Sequence, residues 1–242
     1  MLSFAPRIGA GRLRAPSRKA STAPAGPPSS FSTTFAATEN PISEGGVWVK
    51  NCTACADVLT TGGAATGSRQ TTSNDDAYAW VNTTAFKATN DDCEITVTMA
   101  EPGPDAMETE VLARVTDNSG GYFCYELLIS GGGYAIVRID GGIGGLYQIF
   151  DGSNGTTNTV GSFPASIVAG DKIRFRVTGT NPVRLQAWYA LAATPTTFVQ
   201  VIDVNDSSAD RKQTGQPGIG FYATNSSAVG DKAWADFSAV AV

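Results

Sequence analysis

Two pairs of carboxylates are spaced for shared chemistry: Glu108 and Glu110 in METEV, and Asp92 and Glu94 in DDCE. On a strand, a two-residue spacing places both side chains on one face. Two carboxyl groups flanking a glycosidic bond can act as acid/base and nucleophile. A solvated strand face needs the same pattern, and that is the expected role of both pairs. Positions 106 and 112, where a third acid would extend the Glu108 row, hold Ala106 and Leu112. The chain has no histidine, which removes Ser-His-Asp and Cys-His nucleophiles, histidine bases and histidine metal ligands together. Any catalysis would fall to carboxylates, and no enzymatic activity is expected.

Other residue groups suit binding. In VRLQAWYAL the alternation sets Arg184, Gln186 and Trp188 on the face opposite Val183, Leu185, Ala187, Tyr189 and Leu191. An indole with planar polar neighbours can hold a sugar ring; packing beneath a loop or against another subunit would use the same face. Tyr122 and Tyr125 flank a Gly-rich turn and could add a rim. SNDDAY, TNDD and DVNDSSAD gather Asp and Asn oxygens that could hold a structural calcium, although turns select the same residues. No ligands are assigned and no cofactor is expected. Cys52-x-x-Cys55 is half of a zinc motif, but Cys93 and Cys124 stand far apart and there is no histidine to complete it. All four thiols are expected to be free, because a large core needs no staples. GGG and GGIGG read as hairpin turns and not as phosphate cradles, since no helix follows them.

The elements that must position these groups are strands. KIRFRVTG alternates Ile173, Phe175 and Val177 with Lys172, Arg174 and Arg176, and CEITVTM turns Cys93, Ile95, Val97 and Met99 inward. Further strands are expected near 46–50, 77–83, 107–116, 121–130, 133–140, 145–150, 197–203, 217–223 and 232–241. DNSGG, TGTNP and QTGQPG supply turns between them. No stretch of ten residues has a helical period. An all-β, two-sheet sandwich follows.

Residues 1–30 differ from the rest. They hold Arg7, Arg12, Arg14, Arg18 and Lys19 and no acid, while the other 212 residues carry twelve basic and twenty-two acidic side chains. A Pro-, Gly-, Ser- and Ala-rich segment buries too little apolar surface to offset the entropy of ordering, so it is expected to be an extended arm that takes order from a partner surface. An acidic body is repelled by nucleic acid, and no nucleic-acid partner is expected. There is no apolar run long enough for a membrane span and no hydrophobic secretory core at the N-terminus; an Arg- and Ser-rich, acid-free leader also fits an organellar transit peptide.

Taken together, several stretches are familiar. FSTTFAATENPISEGGVWV resembles the first strand and turn of concanavalin A-like (laminin-G-like) jelly-roll domains. EVLARVTDNSGGYFCYELLISGGGYAIVRIDGG, VAGDKIRFRVTGTNPVRLQAWY and TGQPGIGFYA with WADFSA resemble later strands of the same domains, so the resemblance spans roughly residues 31–242. It implies an antiparallel jelly-roll sandwich preceded by the arm. Glucanases of this fold carry Glu-x-Asp-x-Glu on one strand, and this chain has only part of that pattern. NPISEGGVW is similar to tailed-bacteriophage structural proteins. That resemblance implies a non-enzymatic virion protein, assembled in the host cytoplasm and decorating the head or associated with the tail. It would be anchored to other capsid or tail proteins through residues 1–30, probing host-surface glycans, and oligomeric. A secreted or cell-surface carbohydrate-binding module and a divergent carboxylate glycosidase are the alternatives.

Overall fold

The computed structural model describes residues 28–68, 75–103, 108–130, 133–140, 147–152, 164, 166–223 and 231–242. The proposed anchoring residues Arg7, Arg12, Arg14, Arg18 and Lys19 lie outside them. The described residues form two antiparallel sheets. Numbered in chain order, the larger runs β14 (Val199–Asp206), β13 (Val183–Ala190), β12 (Lys172–Thr178), β7 (Cys93–Glu101), β16 (Ala233–Ala241), β5 (Ala65–Gly67), β4 (Val58–Thr61) and β2 (Thr38–Glu39), with β1 (Ser30–Thr33) paired to β16. The smaller runs β11 (Tyr147–Gly152), β10 (Gly133–Ile139), β9 (Gly121–Ser130), β8 (Glu108–Asn118), β15 (Gln216–Ala223), β6 (Asp75–Val81) and β3 (Trp48–Val49). The only helical turn among the described residues is the 3-10 turn Thr89–Asp91.

The core lies between the sheets because each strand turns its apolar parity inward. Ile95, Val97 and Met99 of β7, Ile173, Phe175 and Val177 of β12, and Val183, Leu185 and Ala187 of β13 meet Val111 and Ala113 of β8, Leu127 and Ile129 of β9, and Ile219 and Phe221 of β15. Each fully buried side chain of this size contributes roughly 1.5–3 kcal/mol, so the sandwich can hold together without a staple. Leu191 departs from the expected inward set: β13 stops at Ala190, and Leu191 lies beyond it in a turn, accepting from Thr194 N, and is exposed.

The sandwich claims more of the N-terminal region than composition suggests. Lys87 N donates to Pro28 O, Ala241 N donates to Ser29 O, and Ser30 pairs with Val240. The boundary drawn at residue 30 therefore falls inside the first strand, Ser30–Thr33, and the rest of the expected arm, residues 1–27, lies outside the described residues.

Candidate ligand-binding face

The outward face of the seven-stranded sheet carries a second, smaller buried cluster: Cys52, Cys55, Tyr78, Leu112, Val115, Tyr122 and Cys124, with Trp80 and Ile139 against it. The β3–β4 connection covers this end of the face. Lys50 Nζ donates to Cys55 O at 2.7 Å and pairs with Asp57, Cys52 N donates to Tyr78 Oη at 3.3 Å, and a Cys52–Cys55 disulfide closes the turn. The expectation of four free thiols is corrected for this pair, because a turn that returns over the sheet brings both sulfurs to one point. Cys93 and Cys124 are free and buried.

Asp117, at the end of β8, organises the covered region. It accepts from Asn51 N at 2.7 Å, Tyr78 Oη at 2.8 Å and Trp80 Nε1 at 2.9 Å. Burial alone would raise its pKa, but the bonds from Trp80, Asn51 and Tyr78 outweigh that and hold the carboxyl below its ordinary range.

Further along the same face the residues become acidic. Cross-strand pairing sets Asp76 of β6 opposite Tyr222 of β15, and Tyr222 opposite Glu108 of β8. All three are partly exposed. One row deeper, Glu110 lies opposite Gly220 and Leu128; a Cβ on Gly220 would overlap Glu110 Oε2, so the carboxylate occupies the space a side chain would fill. Glu126 of β9 stands opposite Leu112, diagonal to Glu110. Carboxylate oxygens of Glu108, Glu110 and Glu126 lie within 4.8 Å of one another. Glu110 is 1% and Glu126 4% exposed. Burial, then the negative charges of Glu126, Asp76 and Glu108, pushes the Glu110 carboxyl well up; burial, then Glu108 and Asp76, does the same to Glu126. Glu108 is raised by burial and Asp76 and partly relieved by Lys232.

Glu126 shares this face with Glu108 and Glu110 only because β8 bulges between Ala113 and Thr116, while β9 itself alternates without a break from Tyr122 through Cys124 to Glu126. Asn118 pairs with Gly121 at the turn, and an unbroken ladder from that pair would set Glu126 opposite core-facing Ala113. The extra residue moves its partner to Leu112. Arg114 sits at the bulge with a left-handed φ of 55° and is fully buried. It donates to Lys212 O at 2.8 Å, Gly179 O at 2.8 Å and Asp92 Oδ1 at 2.7 Å, which holds the irregular backbone in place. The Glu108–Glu110 pair was visible in the sequence; Glu126 was not, because its row depends on this bulge.

The structure does not bring the expected sugar-binding residues together. Tyr122 is buried against Tyr78, ring centroids 4.3 Å apart, on the outward face of the seven-stranded sheet. Tyr125, at odd spacing from it, points into the core and donates to Asp206 at 2.7 Å. Neither forms a rim. Trp188, Arg184 and Gln186 do share the outward face of the nine-stranded sheet. Arg184 Nε donates to Asp203 Oδ1 at 2.8 Å, Gln186 Nε2 donates to Asp203 Oδ2 at 3.2 Å, and Arg176 lies over the Trp188 ring at 5.3 Å. The polar ends of Arg184 and Gln186 and one face of the Trp188 indole are engaged by the protein itself. The Asp92–Glu94 pair separates into structural roles: Asp92 receives Arg114, and Glu94 pairs with Arg174 and Arg176.

No protein-family profile matches the chain, and no curated protein matches it in sequence. Solved structures match in shape. A protein of unknown function from Shewanella oneidensis MR-1 aligns with a TM-score of 0.54 at 14% identity, over 90% of this chain and 88% of that one. A GH43 glycoside hydrolase engineered to display both endo-xylanase and exo-arabinofuranosidase activity aligns with a TM-score of 0.52 at 12% identity, over 93% of this chain but 43% of the enzyme. The exoplasmic/lumenal domain of VIP36, in a Ca2+/Man-bound form, aligns with a TM-score of 0.50 at 10% identity, over 88% of this chain and 92% of that one. These likenesses establish the fold, a concanavalin A-like jelly-roll sandwich, and at such identities nothing finer.

Proposed function

We propose that the sandwich is a non-enzymatic, lectin-like domain that binds carbohydrate on the outward face of its seven-stranded sheet. We further propose that the chain is a structural protein of a tailed-bacteriophage virion, held to capsid or tail proteins by its basic arm. The cross-strand row Asp76–Tyr222–Glu108 carries the carbohydrate reading. A partly exposed aromatic ring flanked by two carboxylates offers an apolar platform for the C–H face of a sugar and acceptors for its hydroxyls. The carbohydrate-binding and carbohydrate-cleaving neighbours on this fold support the same choice of ligand class.

The non-enzymatic reading rests on access. The deep carboxyls of Glu110 and Glu126 are buried beyond reach of a polymer, and Leu112, where a further acid would complete the row, is packed into the apolar cluster. The virion reading rests on the division of charge between the arm and the acidic body and on the similarity of NPISEGGVW to phage structural proteins. An arm that is positively charged and proline-rich can lie extended on an acidic partner surface; displayed domains of this kind occupy symmetric sites as oligomers.

The test has three arms. Deletion of residues 1–27, which leaves β1 intact, is expected to abolish particle association while the sandwich stays folded; retained association refutes the anchor. A glycan array is expected to yield ligands for the wild-type sandwich, and an empty array counts against binding. Turnover of any bound glycan that is lost in Glu108→Gln would overturn the non-enzymatic reading.

A further inference from the structure

The row beneath Tyr222 presents an arrangement that sugar binding does not explain. Three carboxylates converge with their ligand oxygens within 4.8 Å of one another, two of them buried. The negative charges of Glu126, Asp76 and Glu108 press on Glu110, and Lys232 acts on Glu108. Independently of that clustering, Glu110 Oε2 is buried with no hydrogen-bond partner among the described residues. A buried polar atom that accepts nothing is destabilising, and more so when it is charged. The site is also shaped for the carboxylate, since Gly220 leaves the space that Glu110 fills.

We propose that Glu108, Glu110 and Glu126 form a divalent cation site that takes calcium. Every donor is a carboxylate oxygen, which suits a hard cation and not zinc or copper. Calcium–oxygen bonds of about 2.3–2.6 Å place opposite ligands roughly 4.6–5.2 Å apart, a span into which this cluster fits, while magnesium, at about 2.0–2.1 Å, requires a tighter cage. A bound ion supplies Glu110 Oε2 with a partner and offsets the mutual repulsion of the three carboxylates. Partly exposed Glu108 leaves one side of the site open to water or to a ligand hydroxyl. The site is assembled by β8, β9 and the glycine of β15, and its existence does not depend on whether Tyr222 binds sugar. It also differs from the sequence expectation for calcium, which looked to Asp- and Asn-rich loops.

The test is calorimetric titration of chelator-treated full-length protein with CaCl2 near neutral pH, alongside Glu110→Gln and Glu126→Gln. One saturable site per chain is expected, weakened at least about tenfold in either variant, with a calcium-dependent rise in the unfolding temperature of the wild type only. Far-ultraviolet circular dichroism establishes that the variants fold. Absence of calcium uptake by the folded wild type would overturn the proposal. So would equal binding by the wild type and both variants.

Discussion

Replacing Arg114 with methionine isolates the device that sets the register of β8 against β9. The guanidinium is fully buried and makes three short bonds, to Lys212 O, Gly179 O and Asp92 Oδ1. Methionine keeps much of the apolar stem but leaves two carbonyls and a carboxylate short of a donor; Asp92 retains Gly179 N at 3.0 Å. At about 1–3 kcal/mol for each buried group left unsatisfied, and about 3–5 kcal/mol for breaking a buried charged pair, the expected loss is about 3–5 kcal/mol. For a chain of this size each kcal/mol moves the unfolding temperature by roughly 2–4 °C, so a fall of about 6–20 °C is expected by calorimetry or circular dichroism. Arg114→Lys is expected to recover only part of the loss, because an ammonium cannot span the same acceptors as a planar fork. A loss below about 1 kcal/mol for Arg114→Met would refute the role given to this side chain, and with it the account of how Glu126 comes to lie beside Glu110.

Three further outcomes follow from the same structure. Asp117 holds its proton less tightly when folded than the roughly 3.9 of an unfolded aspartate, so its stabilisation is complete above that value and is lost as pH falls through the lower folded one; urea midpoints of wild type and Asp117→Asn should therefore differ at neutral pH and converge in acid, and parallel curves would contradict this. Thiol titration should find no reactive cysteine in the native protein, two after unfolding without reductant and four with it, since Cys93 and Cys124 are buried, burial pushes the Cys93 thiol up to about 12, and Cys52 and Cys55 are paired; four thiols without reductant would exclude the disulfide. Gly220→Ala should lower stability by about 1–3 kcal/mol, because the new methyl displaces a buried carboxylate, and an unchanged unfolding midpoint would count against that packing.

The strand alternation of β7 and β12 was legible residue by residue, because a surface that is wet on one side and packed on the other leaves a period of two in the chain. The two-sheet sandwich follows from those runs and their turns. What the alternation does not encode is where it breaks. The bulge at Arg114 inverts the parity of β8, and the bulge at Ala187/Trp188 shifts β13 against β14. A continuous strand through 107–116 hides the first, and Leu191 was misplaced because β13 ends at Ala190. Tyr122 and Tyr125 looked like neighbours on a turn, yet they stand three apart on a strand and must face opposite ways. That signal was present in the spacing. The pairing of Trp188, Arg184 and Gln186 on one face was legible; their engagement by Asp203 and Arg176 was not, since those partners come from neighbouring strands. The Gly-rich β15 carried a usable hint, because Gly218 and Gly220 alternate with core residues on a strand where bare positions leave room for what the next strand projects.

Carbohydrate recognition on the seven-stranded sheet is tested most directly by calorimetric titration of a glycan identified on the array into wild type, Tyr222→Ala and Trp188→Ala. Affinity is expected to fall at least about tenfold, or about 1.4 kcal/mol, when Tyr222 is truncated and to be unchanged when Trp188 is. Loss of binding with Trp188→Ala and full binding with Tyr222→Ala would place the site on the opposite sheet and contradict the account.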